Sequence, residues 1–546
     1  MLFVLAAVLR AGFVFATADG AGLHSPLFKG DAPLWLDYAH ALRTGSSFSA
    51  ELDLPFRPPG TAWLLASVWD GTVAGLPTMR FVWLLLSAAL APLTFLWALR
   101  FGSDAAMVAG SILAVAGGSI QLGSTVTSEV PACVLTLGAL LIARRIEDRP
   151  GPLWAIALGG VLGLSALLRA EQVLITVLLL AWTARRAQRG GGAGRLRDPV
   201  IAGAVFVLVL LPWQLEVHRR LQDFDERVSP ALPSRSMAWD AGSLARLERV
   251  PGFARAATQR FIEATLRHRG EREVTLDGLR CVDEAFGCWP EPLSTWSLIA
   301  LYGPLNFALA NHEGAEGGFD RSLLDRAPPL TGGRERFDPQ WLRSLPADGA
   351  LALAYPPHVQ LVRDGYGVGL SWIRSHPLDA ATLFARKLWI TFAGVATGLG
   401  ATQFPLGASG VRRRVDLTVA EGTLATLWRL LWAATCVVGL VRGWRRPGSG
   451  PVLLWLCAGL CTSAAFFGYA RLGAVLLPPF AVLTGLAVQG TGRTARAVGV
   501  LLLVAVVIAD GFRWLSPPRY LVDGVEVHEV EPFPPLAHQV RHVEVR

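Results

Sequence analysis

Apolar residues in this chain fall in long, nearly unbroken blocks, such as 200–211, 430–441 and 497–509, and not at the spaced positions of a soluble amphipathic helix. A helix needs about 20 mostly apolar residues to cross hydrocarbon. Blocks of that kind predict spans near 1–18, 79–99, 105–123, 130–143, 152–169, 171–184, 199–216, 422–441, 450–468, 472–489 and 497–514. Residues 60–76 and 378–400 are also apolar but are interrupted by Gly, Pro or charge, which predicts interfacial or partly inserted helices. The pattern therefore predicts an all-α polytopic membrane protein with about 11–13 transmembrane helices, external loop helices and a small external domain.

Composition supports that picture. Of 546 residues, 52% are hydrophobic and only 17% charged, with a mean hydropathy of +0.42. A soluble domain carries about a quarter charged residues, so a soluble enzyme is excluded. The formal charge of +8 comes almost entirely from arginine, since Lys29 and Lys387 are the two lysines. No basic stripe interleaved with aromatics appears, which argues against a nucleic-acid partner.

Arginine in the short loops sets the expected orientation. With the N-terminus cytoplasmic, Arg100, Arg144, Arg145, Arg149, Arg185, Arg186, Arg189, Arg195, Arg197, Arg442, Arg445, Arg446, Arg493 and Arg496 all face inward. The opposite short loops, 124–129 and 469–471, hold one arginine between them. Residues 1–18 lack a cleavage site of small residues and read as a first span, not a signal peptide. The division that follows is an N-terminal transmembrane module over 1–216 that includes an external loop at 19–78. An external, periplasmic domain over 217–377, a C-terminal transmembrane module over 378–514 and an external tail at 515–546 complete it.

Cys133, Cys436, Cys457 and Cys461 fall in spans and read as small buried hydrophobes. Cys281 and Cys288 lie in the external segment, enclose six residues including Gly287, and predict a disulfide. No P-loop, Cys-x-x-Cys, His-Glu-x-x-His or Gly-x-Ser-x-Gly is present.

Candidate chemistry gathers in the external loops. Asp31, Trp35, Ala39 and Leu42 share one helix face that Gly45 ends; Asp31 serves there either as an N-cap or as a reactive acid. Arg57 precedes a stiff Pro58-Pro59-Gly60 turn, which suits a snorkelling anchor or a phosphate at headgroup level. Glu129, in Thr127-Ser128-Glu129, starts a span on the same predicted face. Arg10 sits inside the first span, where charge is costly, and Arg471 begins a later span. Both are either interface anchors or contacts to a donor phosphate. Arg169 and Glu171, close together between two spans, read as a structural pair.

The ordered set Asp31-x3-Trp35-x3-Ala39-x2-Leu42-x2-Gly45, Arg57-Pro58-Pro59-Gly60 and Thr127-Ser128-Glu129-x-Pro131 resembles the polytopic C-superfamily (GT-C) glycosyltransferases. The resemblance is to the protein O-mannosyltransferase and aminoarabinose-transferase type, bacterial family 39-like. Leu168-Arg169-Ala170-Glu171, Leu211-Pro212-Trp213, His376-Pro377 with Arg386-Lys387, and Ala470-Arg471 with Pro478-Pro479 are similar to later family elements. The likeness covers most of the membrane part and little of 220–370.

What the resemblance implies is transfer of a sugar from a polyprenyl-phosphate donor to an acceptor on a lipid, glycan or protein, in the bacterial inner membrane. Asp31 matches the first-loop aspartate and implies a general base, Glu129 matches a second acidic position, and Arg57 implies a donor-phosphate contact. Phe56 stands where the aminoarabinose transferases place a metal-binding Glu, and Leu34 where they place Arg. A divalent metal shared by Asp31 and Glu129 stays open, as does catalysis with no cofactor. The competing function class is a polysaccharide ligase, a flippase or another transporter of lipid-linked glycans. Against it, no corresponding broken spans recur in two halves of the chain.

Overall fold

A computed structural model describes residues 1–17, 32–45, 54–72, 75–123, 125–189, 196–226, 234–293, 299–320, 322–324, 347–348, 351–352, 356–397, 400–405, 412–417, 423–446 and 448–489, with 497, 521–522 and 525–526. Ten of the eleven expected spans coincide with helices. They are α1 (Leu2–Thr17), α4 (Leu76–Ala98), α5 (Ser103–Val115) with α6 (Gly117–Gly123), α7 (Glu129–Asp148), α8 (Pro152–Leu168), α9 (Gln172–Arg189), α10 (Arg197–Glu226), α17 (Thr423–Gly443), α18 (Gly450–Ala465) and α19 (Ala470–Val488). The eleventh, 497–514, lies outside the described residues apart from 497.

Among the described residues, three helical stretches are long and apolar enough to cross a membrane by themselves: Leu76–Phe101, Arg197–Glu226 and Arg471–Val488. Shorter apolar helices at Leu2–Val14, Pro152–Leu168 and Gly450–Ala465 pack among them. The chain is a helical, multi-pass membrane protein. Outward faces carry Val200, Val207, Leu208, Leu215, Leu430, Leu431 and Val441, as a lipid-facing surface requires.

The third expected span is not one helix. It breaks at Ala116, whose ψ of 126° is extended, and α5 and α6 are bent by 54°. Gly117-Gly118 follows the break, and glycine pairs hold a helix poorly. Elsewhere glycine tightens packing. A Cβ on Gly159 would lie 2.3 Å from the Ala202 carbonyl oxygen, and one on Gly163 2.7 Å from Val209, so α8 and α10 approach closely where small residues recur.

The interrupted apolar stretches are helices too: α3 (Gly60–Val68) and α16 (Pro377–Thr397). In the first loop α2 (Ala32–Thr44) ends at Gly45, which takes φ +67°. The described residues of the 217–377 segment are mainly helical, with α11 (Ala241–Glu248), α12 (Gly252–His268), α13 (Arg280–Phe286), α14 (Tyr302–Ala310) and α15 (Pro356–Ser375). A two-residue parallel pair, β1 (Ala238–Trp239) with β2 (Glu273–Val274), ties α11 to α13, and Glu263 accepts from the Ser236 and Trp239 N–H groups beneath it. Residues 400–405 and 412–417 pair as antiparallel strands. The boundary expected at 216/217 falls inside α10, because Pro212 does not end that helix.

The expected Cys281–Cys288 disulfide is not formed; both thiols are free. The intervening residues are a helix, not an open loop. Cys281 instead packs, fully buried, among Phe261, Ile262, Leu266 and Val274, and burial pushes its thiol up to about 12.

Candidate functional site

Two structures carry the candidate site: an arginine held by aromatic rings and a knot of four charges. Arg57 reaches its place because the backbone before it is pinned. Pro55 and Phe56 carbonyls accept from the Leu301 and Tyr302 N–H groups, each at 3.3 Å. The Arg57 guanidinium lies 5.7 Å from the Trp35 ring centre and 5.0 Å from that of Tyr302. Phe56 packs on the same Tyr302 ring at 5.1 Å. Cation–π contacts of this kind hold a guanidinium while leaving its N–H edges directional. The α2 face read from spacing is therefore inward: Trp35 and Ala39 are buried, and Trp35 faces the arginine. Tyr302, from the 217–377 segment, stands in the candidate site and was missed by sequence reasoning, since nothing around it marks the position.

The knot forms on Glu129. Its side chain is 1% exposed at the first turn of α7. Oε1 lies 2.7 Å from Arg169 Nη1 and 3.2 Å from Arg471 Nε. Arg169 also donates to Ser128 Oγ at 2.9 Å and pairs with Glu171. Arg471, about one third exposed, lies over the Tyr469 ring at 5.3 Å. Trp83 fixes the approach to α7 by donating to the Thr127 carbonyl at 2.8 Å. Arg169 was in principle legible as the partner of Glu129. The two stand at nearly equal distances either side of the Pro150-Gly151 turn, and an antiparallel hairpin brings such positions together.

Gly60 joins the two structures. A Cβ there would meet the Leu167 carbonyl carbon and oxygen at 2.7 Å and the Leu168 nitrogen at 2.9 Å. The turn after Arg57 thus rests directly on the end of α8, two residues before Arg169.

Several sequence expectations change. Glu129, expected as a second catalytic or metal-sharing acid, is the buried counter-ion of two guanidinium groups. A carboxylate oxygen with two cations already within 3.2 Å is a poor ligand for a divalent metal. Among the described residues no cluster of His, Cys, Asp or Glu has metal-site geometry. Arg10, expected as an interface anchor or a donor-phosphate contact, does not snorkel. It is wholly buried, with Nε donating to Ser87 Oγ (2.7 Å), Nη1 to the Ala6 (3.0 Å) and Ala114 (3.3 Å) carbonyls, and Nη2 to the Leu113 carbonyl (3.1 Å) and Ser119 Oγ (2.6 Å). All five guanidinium N–H groups are used. Two of the acceptors are carbonyls freed by the α5–α6 break, so Arg10 braces the broken span. Asp31 lies outside the described residues. Arg57 and Arg471 stand at the site.

Beside the knot, a narrow apolar crevice with a cavity volume of about 30 Å³, room for a water-sized group, runs between α9, α18 and α19. Glu171 and Leu472 mark one end, next to Arg169 and Arg471, and Trp455 lines the other. Trp455 to Ser463 along α18 spans eight residues, about 12 Å. The Trp455 indole N–H, buried among these residues, meets no acceptor among the described residues.

No family profile matches the sequence, and no curated protein matches it. Among solved structures the chain is similar to the Archaeoglobus fulgidus oligosaccharyltransferase in complex with zinc and sulfate, at 14% identity and TM-score 0.46 over 94% of this chain and 53% of that one. It is also similar to ArnT from Cupriavidus metallidurans bound to undecaprenyl phosphate, at 16% identity and TM-score 0.33 over 89% of this chain and 77% of that one. The apo state of the same ArnT gives 17% identity and TM-score 0.31 over 89% and 76%. The chain spans about half the length of the archaeal protein.

Proposed function

We infer that the chain is a membrane glycosyltransferase. It moves a sugar from a polyprenyl-phosphate donor to an acceptor hydroxyl at the external face of a bacterial inner membrane, with inversion at the anomeric carbon. One observation carries this reading: a pair of buried-rooted arginines, Arg169 and Arg471, stands at the end of an apolar crevice between α9, α18 and α19. An anionic head on an apolar chain complements cations beside an apolar wall, and such a chain enters by parting α9, α18 and α19, since the crevice itself holds about 30 Å³. The ordered first-loop motifs support the same ligand class and add the chemistry of transfer.

In the reaction, the acceptor oxygen bonds to the anomeric carbon while the bond from that carbon to the phosphate oxygen breaks. The phosphate keeps the electron pair, and the acceptor proton passes to the Asp31 carboxylate. Arg57 and Arg471 face the growing phosphate charge, where fixed cations lower the barrier. Glu129 holds Arg169 and Arg471 in place. This organisation includes a cytoplasmic N-terminus, membrane modules over 1–216 and 378–514, and an external domain over 217–377 from which Tyr302 reaches the site. Acceptors are hydroxyl groups on a lipid, glycan or protein.

The test is a transfer assay of purified protein against a panel of polyprenyl-phosphate sugars, comparing wild type with Asp31→Asn. Asn keeps the side chain's size and helix-capping ability but takes no proton, so turnover falls about a hundredfold or more. Near-normal turnover by that variant removes Asp31 as the base. Absence of transfer from every donor by the wild type removes the reading itself.

A further inference from the structure

The knot holds one carboxylate more than its architecture requires. Arg169 is anchored by Glu129 at 2.7 Å and by Ser128 Oγ at 2.9 Å, both buried. Glu171 then adds a second carboxylate to the same guanidinium while remaining 27% exposed at the crevice mouth. Its side chain is not needed to shape the turn between α8 and α9, because backbone bonds close that turn: Gln172 N–H to the Arg169 carbonyl (3.1 Å) and Leu174 N–H to the Glu171 carbonyl (3.1 Å). Of the two acids on Arg169, the deep one gains no water by leaving and the shallow one does. A partly exposed ion pair is also the weaker of the two.

We propose that Glu171 is a placeholder: its carboxylate occupies Arg169 until the phosphate of a lipid-phosphate ligand in the crevice replaces it. The proposal rests on the lipid-phosphate reading above. On exchange, Glu171 turns to solvent at the mouth, and the phosphate oxygens take the Arg169 edge that it vacates, beside Arg471. No covalent bond changes. The exchange keeps the knot near neutral with and without ligand, so the empty site does not present a net positive charge to bulk anionic lipid. Glu171 is therefore a specificity-determining residue, because a ligand must outcompete a tethered carboxylate. The lipid phosphate monoester released by transfer carries more charge than the phosphodiester of the sugar-linked donor or of a phospholipid headgroup and displaces it best.

The experiment measures binding of undecaprenyl phosphate, phosphatidylglycerol and inorganic phosphate to full-length wild type and Glu171→Gln in the same detergent. Removing a like charge next to the phosphate tightens undecaprenyl phosphate at least about fivefold. If wild type binds undecaprenyl phosphate and Glu171→Gln binds it equally or more weakly, the placeholder is overturned and the transferase reading stands. If neither protein binds it, both fall. Tightening of phosphatidylglycerol alone also overturns the proposal. A second measurement needs no variant: carbodiimide modification of Glu171 in wild type, read by peptide mass spectrometry, rises when undecaprenyl phosphate is added. An unchanged extent of modification on a saturated site overturns the exchange.

Discussion

Gly60→Ala is a small change that sets two physical effects against each other. Alanine is the better helix former, and at the first residue of α3 it would stabilise the helix by up to about 1 kcal/mol. The added methyl, however, would lie 2.7 Å from the Leu167 carbonyl carbon and oxygen and 2.9 Å from the Leu168 nitrogen. These are backbone atoms inside a helix end, so no side chain can rotate away. Ordinary contact requires α3 and α8 to separate by about 0.7 Å, and overpacking of this kind costs about 1–3 kcal/mol. Sterics outweigh propensity. The separation also moves Arg57 relative to Arg169, and a misplacement approaching 1 Å can cost about a hundredfold in rate. The expected result is a lower midpoint of thermal unfolding in detergent and a larger loss in turnover than in folded fraction. Unchanged stability together with unchanged transfer by Gly60→Ala would refute the close approach and the link drawn from it.

Arg10→Met removes all five of its hydrogen bonds and orphans buried carbonyls and hydroxyls, at about 1–3 kcal/mol for each group left unsatisfied. Its expected signature is poor yield and a lowered unfolding midpoint, with donor KM unchanged in the protein that folds; a raised KM at normal stability would return Arg10 to the phosphate site. Cys281 and Cys288 are both free, so intact mass under oxidising conditions shows no loss of two hydrogens. Maleimide labels Cys288 well before Cys281, whose buried thiol has little thiolate at neutral pH; equal labelling rates would contradict that burial. A reporter fused after Gly194 reads cytoplasmic and one after Asp240 external, and identical readings from both would break the proposed orientation around α10.

How far the sequence could be read differs by element. Spans were legible because hydrocarbon demands long apolar runs, and that demand is written locally. The break in the third span was written less plainly, in Ala116-Gly117-Gly118, and needed a polar group elsewhere to sustain it. Arg10 supplies that group from a distance of over a hundred residues, which no local pattern displays. The Arg57 and Arg471 positions followed from charge at span ends, but the role of Glu129 did not. An acid at a helix start looks the same whether it meets substrate or two arginines; only the hairpin geometry decides. Tyr302 lies in a segment without periodic signal, and its place depends on backbone bonds between residues about 245 apart. The cysteine pair misled because six intervening residues look like a loop, although Val282-Asp283-Glu284-Ala285 folds into a helical turn.

The brace around Arg10 also constrains how the protein can be made. During synthesis the first span leaves the ribosome long before Ser87, Leu113, Ala114 and Ser119 exist. An arginine in mid-span costs about 2.5–3.5 kcal/mol to place in lipid on the insertion scale. The first helix is therefore a poor membrane anchor while it is alone. On the same scale the Leu, Phe and Val residues of α1 return about 3–5 kcal/mol, so the helix stays marginal in lipid until the third span emerges already bent and offers its open carbonyls. Release into lipid then becomes a joint event of three spans, and the charge that makes the first one reluctant is what ensures that it leaves in company.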